Sequence, residues 1–176
     1  MITDYSLKLL ISEDEIKAKV LEIGKILNKL YKEQELTILI VMKGAICFAA
    51  DLIRRLELKL TLECIRCSSY GMNGTRRSEV QITGLDQVDL KDKNILIIDD
   101  IFDSGYTMSK LVENIEQLEV RSVRTMVLLN KNIPRETTFN PDFSLFEIEN
   151  SFVVGYGLDY KELYRGLPGI FTIENI

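Results

Sequence analysis

Apolar positions in the first part of the chain follow the period of an α-helix. After Ser12, apolar side chains return every three or four residues as far as Leu30, which is the spacing of one buried helix face. The run Ser12-Glu13-Asp14-Glu15 has the form of a capping box, in which serine and glutamate satisfy each other's backbone N–H groups. The pattern predicts an amphipathic helix that begins after Ser12 and ends near Gln34.

Continuous apolar runs farther along the chain predict buried strands. The runs 36–42 and 94–98 have no polar face, which is typical of strands covered on both sides in a parallel sheet. Each is followed by a polar loop and by a helical pattern, at 45–56 and 107–118. Further strands are predicted at 58–69, 79–83, 122–129, 143–149 and 169–173.

The repeated order of strand, polar loop and helix predicts an α/β fold with a mostly parallel central sheet flanked by helices. The last strand and the N-terminal residues are expected to form a small hood subdomain. We expect residues 1–176 to form a single domain, because this length is typical of one domain. In such folds the ligand site lies outside the carboxyl ends of the strands.

Composition narrows the possible chemistry. The 176 residues contain no histidine, so Ser-His-Asp and Cys-His catalysis and histidine-bound zinc are excluded within this chain. Acid–base chemistry near neutral pH then falls to carboxylates, lysine, tyrosine or cysteine. The net charge of −5 gives no basic surface for nonspecific nucleic-acid binding, so no nucleic-acid partner is expected.

No run of about 18 apolar residues is present, and residues 1–5 lack a signal-peptide pattern. We therefore expect a cytoplasmic protein without a membrane partner. Cys64 and Cys67 have the spacing of a metal or redox pair, but only Cys47 remains as a further thiol ligand. Two cysteines along a strand is the better interpretation.

The strongest chemical signal is an acidic turn between the second buried strand and its helix. Asp99 and Asp100 follow the strand, and Asp103 lies farther along the same turn. Neighbouring carboxylates at a strand end are good acceptors for ribose hydroxyls and can support a hydrated Mg²⁺ ion. Ser104, Thr107 and the backbone N–H groups around them offer donors for a phosphate monoester at a helix N-terminus.

The segment 95–107 resembles the 5-phosphoribosyl-1-pyrophosphate signature of the type I phosphoribosyltransferase family. In that signature apolar residues precede two acids, two apolar residues, a third acid, Ser/Thr, Gly, any residue and Thr. Other segments resemble the hypoxanthine (hypoxanthine-guanine) branch of this family; they are 41–45, 68–71, 128–131 and 152–160 followed by Arg165. The resemblance therefore covers most of the chain.

The resemblance implies a Mg²⁺-dependent enzyme of purine salvage. N9 of a 6-oxopurine, hypoxanthine and also guanine, would displace pyrophosphate from C1 of 5-phosphoribosyl-1-pyrophosphate and give IMP or GMP. The family also suggests a homodimer or homotetramer. Asp103 would interact with N7 and accept the purine proton as the catalytic residue. Ser69 and Tyr70 would belong to a flexible loop that closes over the reaction and excludes water.

The resemblance further assigns binding roles to matching positions. Ribose and its 5′-phosphate would be bound by Asp99, Asp100, Asp103, Ser104, Gly105, Tyr106 and Thr107. Pyrophosphate would contact Lys43, Gly44 and Arg165. The purine site would include Lys131, Phe152, Val153 and Asp159, with Phe152 stacking on the ring and Lys131 donating to the 6-oxo group. The metal site would include Asp99, Asp100 and Asp159.

Alternatives remain open at this point. The chain could prefer xanthine, or it could be a regulator that binds 5-phosphoribosyl-1-pyrophosphate without catalysis. A phosphoacceptor receiver domain also has adjacent acids after a strand, but after its first strand, whereas Asp99 and Asp100 lie beyond the middle of this chain. A pyrimidine-specific phosphoribosyltransferase is opposed by the run Phe152-Val153-Val154-Gly155. No role is assigned to Arg76 and Arg77.

Overall fold

The computed structural model of the protein describes residues 5–70, 79–135 and 137–174. Strands and helices alternate in residues 6–70 and 94–131. The elements are β1 (Ser6–Ile11), α1 (Glu13–Leu30), β2 (Glu35–Met42), α2 (Ile46–Ile53), β3 (Lys59–Tyr70), β4 (Glu79–Thr83), β5 (Asn94–Phe102), α3 (Tyr106–Glu116), β6 (Ser122–Lys131), β7 (Phe143–Ile148), β8 (Val153–Val154) and β9 (Ile170–Glu174). A 3-10 turn, Leu85–Gln87, follows β4.

The central sheet has six strands in the order β4-β3-β2-β5-β6-β7. All neighbouring pairs are parallel except β3 and β4, which are antiparallel. From β2 the chain crosses to β3 on one side, whereas from β5 it crosses to β6 on the other. The order therefore reverses between β2 and β5, and a crevice at the carboxyl ends of these two strands is where α/β sheets bind ligands.

A second, smaller sheet is built from both ends of the chain. Its order is β1-β9-β8, and both pairs are antiparallel. This confirms the predicted hood made from the N-terminal residues and the last strand. The central parallel sheet of the expected α/β fold is confirmed as well.

The core lies on both faces of the central sheet because successive strand residues point to opposite sides. In β2, Ile38 and Ile40 pack towards α1 and α2, while Leu39 and Val41 pack on the opposite face, where α3 lies. The same alternation continues in β5. This two-sided burial explains why these strands have no polar face.

Several boundaries differ from the sequence prediction. The first helix ends at Leu30 instead of near Gln34, because Tyr31 caps it and Glu33 has a left-handed backbone (φ 64°) that a helix cannot continue. The second helix is also shorter than predicted and covers Ile46–Ile53. The sequence pattern does not predict β8, because a strand of two residues is too short to show an alternation of apolar and polar positions.

The position of Asp99 and Asp100 also differs from the sequence prediction. β5 continues past residue 98 to Phe102, so Asp99 and Asp100 belong to the strand and not to the loop that follows it. Asp99 pairs with Val127 of β6 in the parallel ladder. Because the ladder with β6 continues on both sides of Asp100, the strand fixes the position of the two acids more rigidly than a loop would.

The cysteines lie as the strand interpretation predicted. Cys64 and Cys67 are in β3, Cys47 is in α2, and all three thiols are free. Burial raises the pKa of Cys67 to about 12, with a further contribution from the carboxylate of Asp99. No helix in the described ranges is long and apolar enough to cross a membrane.

The capping box of α1 provides a test of local stability. Ser12 Oγ accepts from Glu15 N at 3.3 Å, and Glu15 Oε2 accepts from Ser12 N at 2.8 Å. Ser12→Ala removes the first bond and should lower the free energy of unfolding by about 1 kcal/mol in urea titrations. Ser12→Thr keeps the cap and serves as the control; equal losses in both variants would contradict this role.

Candidate functional site

Three chain segments meet at the carboxyl edge of β2 and β5. They are the loop 43–45 after β2, the end of β5, and the segment 155–165 after β8. A Cβ atom built on Gly44 would lie 1.6 Å from Asp100 Oδ2, and one on Gly157 would lie 2.1 Å from the carbonyl oxygen of Gly44. Only glycine fits at position 157, where the clash is with backbone and φ is 103°, and a side chain at position 44 would displace the carboxylate of Asp100. The peptide bond that joins Met42 to Lys43 is cis.

The two acids at the end of β5 lie side by side in a partly buried position. Asp99 Oδ1 accepts from the backbone N–H of Asp100, and Asp100 Oδ1 accepts from that of Ile101, each at 2.9 Å. Burial raises the pKa of Asp99, and the neighbouring charge of Asp100 raises it further. Two carboxylates in this environment favour a cation or hydroxyl donors beside them.

The turn after β5 leads into the N-terminus of α3. Gly105 has φ 83° and immediately precedes this helix, and Ser104 Oγ accepts from Tyr106 N at 3.4 Å. A cavity of about 80 Å³ opens at the turn. Its lining residues are Asp99, Ile101, Phe102, Asp103, Ser104, Gly105, Thr107 and Met108. The backbone N–H groups of the first helical turn have no carbonyl partner within the helix, which makes this a place for an anion.

Larger cavities lie elsewhere in the molecule. One of about 360 Å³ is between α1 and β7, and one of about 570 Å³ is between β4 and α3. Neither is lined by residues that sequence analysis selected. Volume alone therefore does not identify the site; the chemistry of the strand ends does.

An ion pair connects the acidic turn with the end of β6. Lys131 Nζ lies 3.0 Å from Asp103 Oδ2, and the lysine side chain is only 13% exposed, against 52% for the aspartate. The lysine therefore presents its ammonium group from a protected position. This arrangement gives one donor and one acceptor beside each other at the crevice.

A network of opposite charges spans the other side of the crevice. Glu162 pairs with Lys43 at 2.9 Å and with Arg165 at 3.1 Å. Arg165 also pairs with Asp159 at 2.7 Å and donates to the carbonyl oxygen of Gly157 at 2.7 Å. The hydrogen bonds from Lys43 and Arg165 lower the pKa of Glu162. Both predicted pyrophosphate-binding cations therefore share one carboxylate.

Aromatic side chains lie beside this network. The rings of Phe152 and Tyr160 meet edge to face with centroids 5.5 Å apart, and Tyr160 meets Tyr5 in the same way at 5.4 Å. Phe152 is 47% exposed although it is a large apolar residue. Val153 is buried in β8, whose backbone pairs with β9. An exposed phenyl ring that is held by an edge-to-face contact with a second ring is suited to stacking on a flat ligand.

The predicted metal ligands do not form one compact group. Within the described residues, no three acidic or cysteine side chains come together as a ready-made metal cluster. Asp99 and Asp100 are adjacent in β5, whereas the carboxylate of Asp159 accepts from Arg165 and from Glu162 N. This donor set still fits Mg²⁺, which commonly takes one or two protein carboxylates and completes its shell with substrate phosphates and water.

The contacts join the predicted residues in smaller sets, which are Lys131 with Asp103, Gly44 with Asp100, and Arg165 with Asp159. Ser69 and Tyr70 end β3, and the loop expected there continues into 71–78, which lies outside the described residues, as do Arg76 and Arg77.

Sequence reasoning missed two charged residues, Glu162 and Arg135. Glu162 lies three residues from both Asp159 and Arg165, a weak signal, and nothing in the sequence distinguishes Arg135.

Comparison with known proteins places the chain in a family. Residues 12–161 match the family model of the phosphoribosyl transferase domain. The hypoxanthine-guanine phosphoribosyltransferase of Bacillus subtilis is 42% identical over 167 residues, which are 95% of this chain and 93% of that protein. The corresponding Aquifex aeolicus protein is 35% identical over 99% of this chain and 98% of its own length.

Solved structures agree with this placement. A crystal structure of a hypoxanthine phosphoribosyltransferase from Staphylococcus aureus superimposes with a TM-score of 0.89 at 35% identity, over 95% of this chain and 91% of that one. The same fold and a family match over residues 12–161 therefore accompany the site described above. The chain belongs to the phosphoribosyltransferase family.

Proposed function

We propose that this chain is a purine-salvage enzyme that transfers the 5-phosphoribosyl group from 5-phosphoribosyl-1-pyrophosphate to N9 of hypoxanthine, and of guanine. The products are IMP or GMP and pyrophosphate. The observation that carries the proposal is the contact of 3.0 Å between Lys131 and Asp103. It places a hydrogen-bond donor for the 6-oxo group of a purine beside the acidic turn that would hold the sugar phosphate. The family membership and the names of the relatives support the same reaction.

The purine is recognised through its 6-oxo group. Lys131 donates to that oxygen from its protected position, and Phe152 stacks on the ring with its exposed face. The backbone of Val153 contacts the ring edge. A 6-amino group offers no acceptor, so adenine would place a donor against the ammonium group of Lys131, and a site built for a hydrogen bond rejects such an analogue strongly.

Asp103 is the proton acceptor in the proposed mechanism. Its carboxylate lies beside Lys131 and is half exposed towards the crevice, where N7 of the bound purine would approach it. The electron pair of N9 forms the new bond to C1 while the C1–O bond to pyrophosphate breaks. The proton on N7 of the purine then passes to the Asp103 carboxylate, so that the bound nucleotide base is left neutral.

The acidic turn binds the ribose 5′-phosphate. The N-terminus of α3 and the hydroxyls of Ser104 and Thr107 supply donors, and Gly105 allows close approach of the backbone. Asp99 and Asp100 accept from the ribose hydroxyls. Holding the sugar at both ends fixes C1 opposite the purine nitrogen, which is the positioning that a displacement requires.

The departing pyrophosphate meets the cations on the other side of the crevice. Lys43, the backbone N–H of Gly44 and the planar fork of Arg165 offset the charge that develops there. Glu162 holds both side chains in the ligand-free protein, so the substrate must replace its carboxylate. Mg²⁺ bound near Asp99, Asp100 and Asp159 would lower the negative charge of the leaving group.

We further propose that residues 1–176 act as one domain and that the protein is a cytoplasmic homodimer or homotetramer. The single domain rests on chain length, the cytoplasmic location on the sequence pattern, and the oligomeric state on the family resemblance. They do not change the chemistry proposed for a single crevice.

Incubation with Mg²⁺, 5-phosphoribosyl-1-pyrophosphate and each of hypoxanthine, guanine, xanthine and adenine tests the proposed reaction. We expect nucleotide formation with hypoxanthine and guanine and a much lower kcat/KM with adenine, measured by chromatography of the products. Chelation of the metal should abolish turnover. Absence of turnover with every 6-oxopurine would disprove the function, and turnover with xanthine alone would change the substrate.

The role of Asp103 is tested by Asp103→Asn, which keeps the size of the side chain but cannot accept the proton. We expect kcat to fall by about 10² or more with an unchanged melting temperature. Asp86→Asn, at an exposed position in the 3-10 turn, is the matched control and should keep wild-type activity. Wild-type kcat in Asp103→Asn would remove Asp103 from the catalytic role.

The raised pKa of Asp99 predicts that the free energy of unfolding of the ligand-free protein depends on pH. The unfolded chain releases the proton of Asp99 at lower pH than the folded one, so stability is lost as pH rises above the unfolded pKa of about 4. Asp99→Asn should therefore melt at a higher temperature than wild type at pH 7 without ligands.

The difference in melting temperature should shrink as pH falls through about 4, because the unfolded wild type then also takes up a proton on Asp99. Differential scanning calorimetry across this range measures it, again with Asp86→Asn as the control. A difference that grows at low pH would contradict the assignment.

A further inference from the structure

Arg135 lies next to the acidic turn and is not one of the residues proposed above to bind a ligand. It follows β6, four residues after Lys131. Its Nη1 donates to the carbonyl oxygen of Asp103 and, at 3.5 Å, to that of Phe102. Its Nη2 donates to Asn130 Oδ1 at 2.6 Å. The guanidinium group therefore links the end of β5 with the end of β6.

The same guanidinium group also stacks on an aromatic ring beneath the turn. The Cζ atom of Arg135 lies 4.7 Å from the ring centroid of Phe102, a cation–π distance. The Phe102 ring in turn touches Gly105, since a Cβ on that glycine would lie 2.8 Å from its Cζ atom. Phe139 packs against the ring at 6.1 Å between centroids. Arg135 and Phe102 thus form a support under the acidic turn.

Asp103 is consequently held at two separate points. Lys131 binds its carboxylate, whereas Arg135 binds its backbone carbonyl oxygen. The carboxylate is half exposed and lies on a turn, so its bond to Lys131 alone does not fix the backbone from which it projects. A displacement of about 1 Å at a reacting group can cost on the order of 10²-fold in rate.

We propose that Arg135 is a positioning residue for the reaction, which acts through Asp103. It fixes the backbone of the turn so that the carboxylate meets the purine while the first residues of α3 face the phosphate. This inference rests on the proposed function, because it assumes that Asp103 is the proton acceptor. Arg135 itself touches no substrate atom in this scheme.

Arginine is required because the contacts need a flat group with several donors. One face stacks on Phe102 while two different nitrogens reach the backbone carbonyls and Asn130. Lysine keeps the charge but has a single nitrogen and no planar face, so it can replace only part of this set. Arg135→Lys is therefore a charge-conserving test of geometry.

We expect Arg135→Lys to lower kcat about tenfold or more when rates are expressed per folded molecule. The variant is combined with Asp103→Asn in a double-mutant cycle. If Arg135 acts through Asp103, Arg135→Lys changes kcat less than about threefold in the Asp103→Asn background. A purely structural role would not produce this loss of effect, because destabilisation would act equally in both backgrounds.

Arg124→Lys is the matched control, since Arg124 is also on β6 and pairs with Asp142 at 3.5 Å, away from the turn. It should keep wild-type kcat. Folded fractions come from urea titration of every variant. Wild-type kcat in Arg135→Lys, or losses that multiply in the double variant, would overturn the inference. Inactive wild-type protein would instead disprove the proposed function, so the two failures are distinguishable.

Discussion

Close backbone approach at Gly44 is the constraint on which the site depends. Asp100 of β5 lies against one side of this glycine, and Gly157 of the segment after β8 lies against its carbonyl oxygen. A side chain at Gly157 would push the segment that carries Arg165 away from the loop that carries Lys43, and a side chain at Gly44 would displace the carboxylate of Asp100. The two glycines therefore let the segment after β8, the loop after β2 and the end of β5 meet closely.

Charge is distributed unevenly around that contact. Asp99 and Asp100 accumulate negative charge on the β5 side, and burial raises the pKa of Asp99. On the other side, Glu162 neutralises Lys43 and Arg165. In the ligand-free protein, burial therefore disfavours the charged form of Asp99, and the cations pair with a carboxylate of the same chain. A substrate with ribose hydroxyls, phosphates and a divalent cation would relieve both conditions.

The sequence was most informative for elements whose pattern lies within one segment of the chain. The capping box and the helical period predicted α1, and the apolar runs predicted β2 and β5, because burial on both faces leaves a direct mark on composition. It was less informative at element ends. β5 extends through Asp99 and Asp100 because the ladder with β6 continues there, which local sequence does not reveal.

The sequence by itself determined the α/β class, the acidic turn and the family resemblance, because these depend on short-range periodicity and on residue order. Only the tertiary structure decided that Lys131 reaches Asp103, that Glu162 holds both cations, and that Arg135 supports the turn. These pairs join residues from different strands and loops, or, for Glu162 and Arg165, depend on the path of a loop. Their distances are set by the packing of the sheet and not by spacing along the chain.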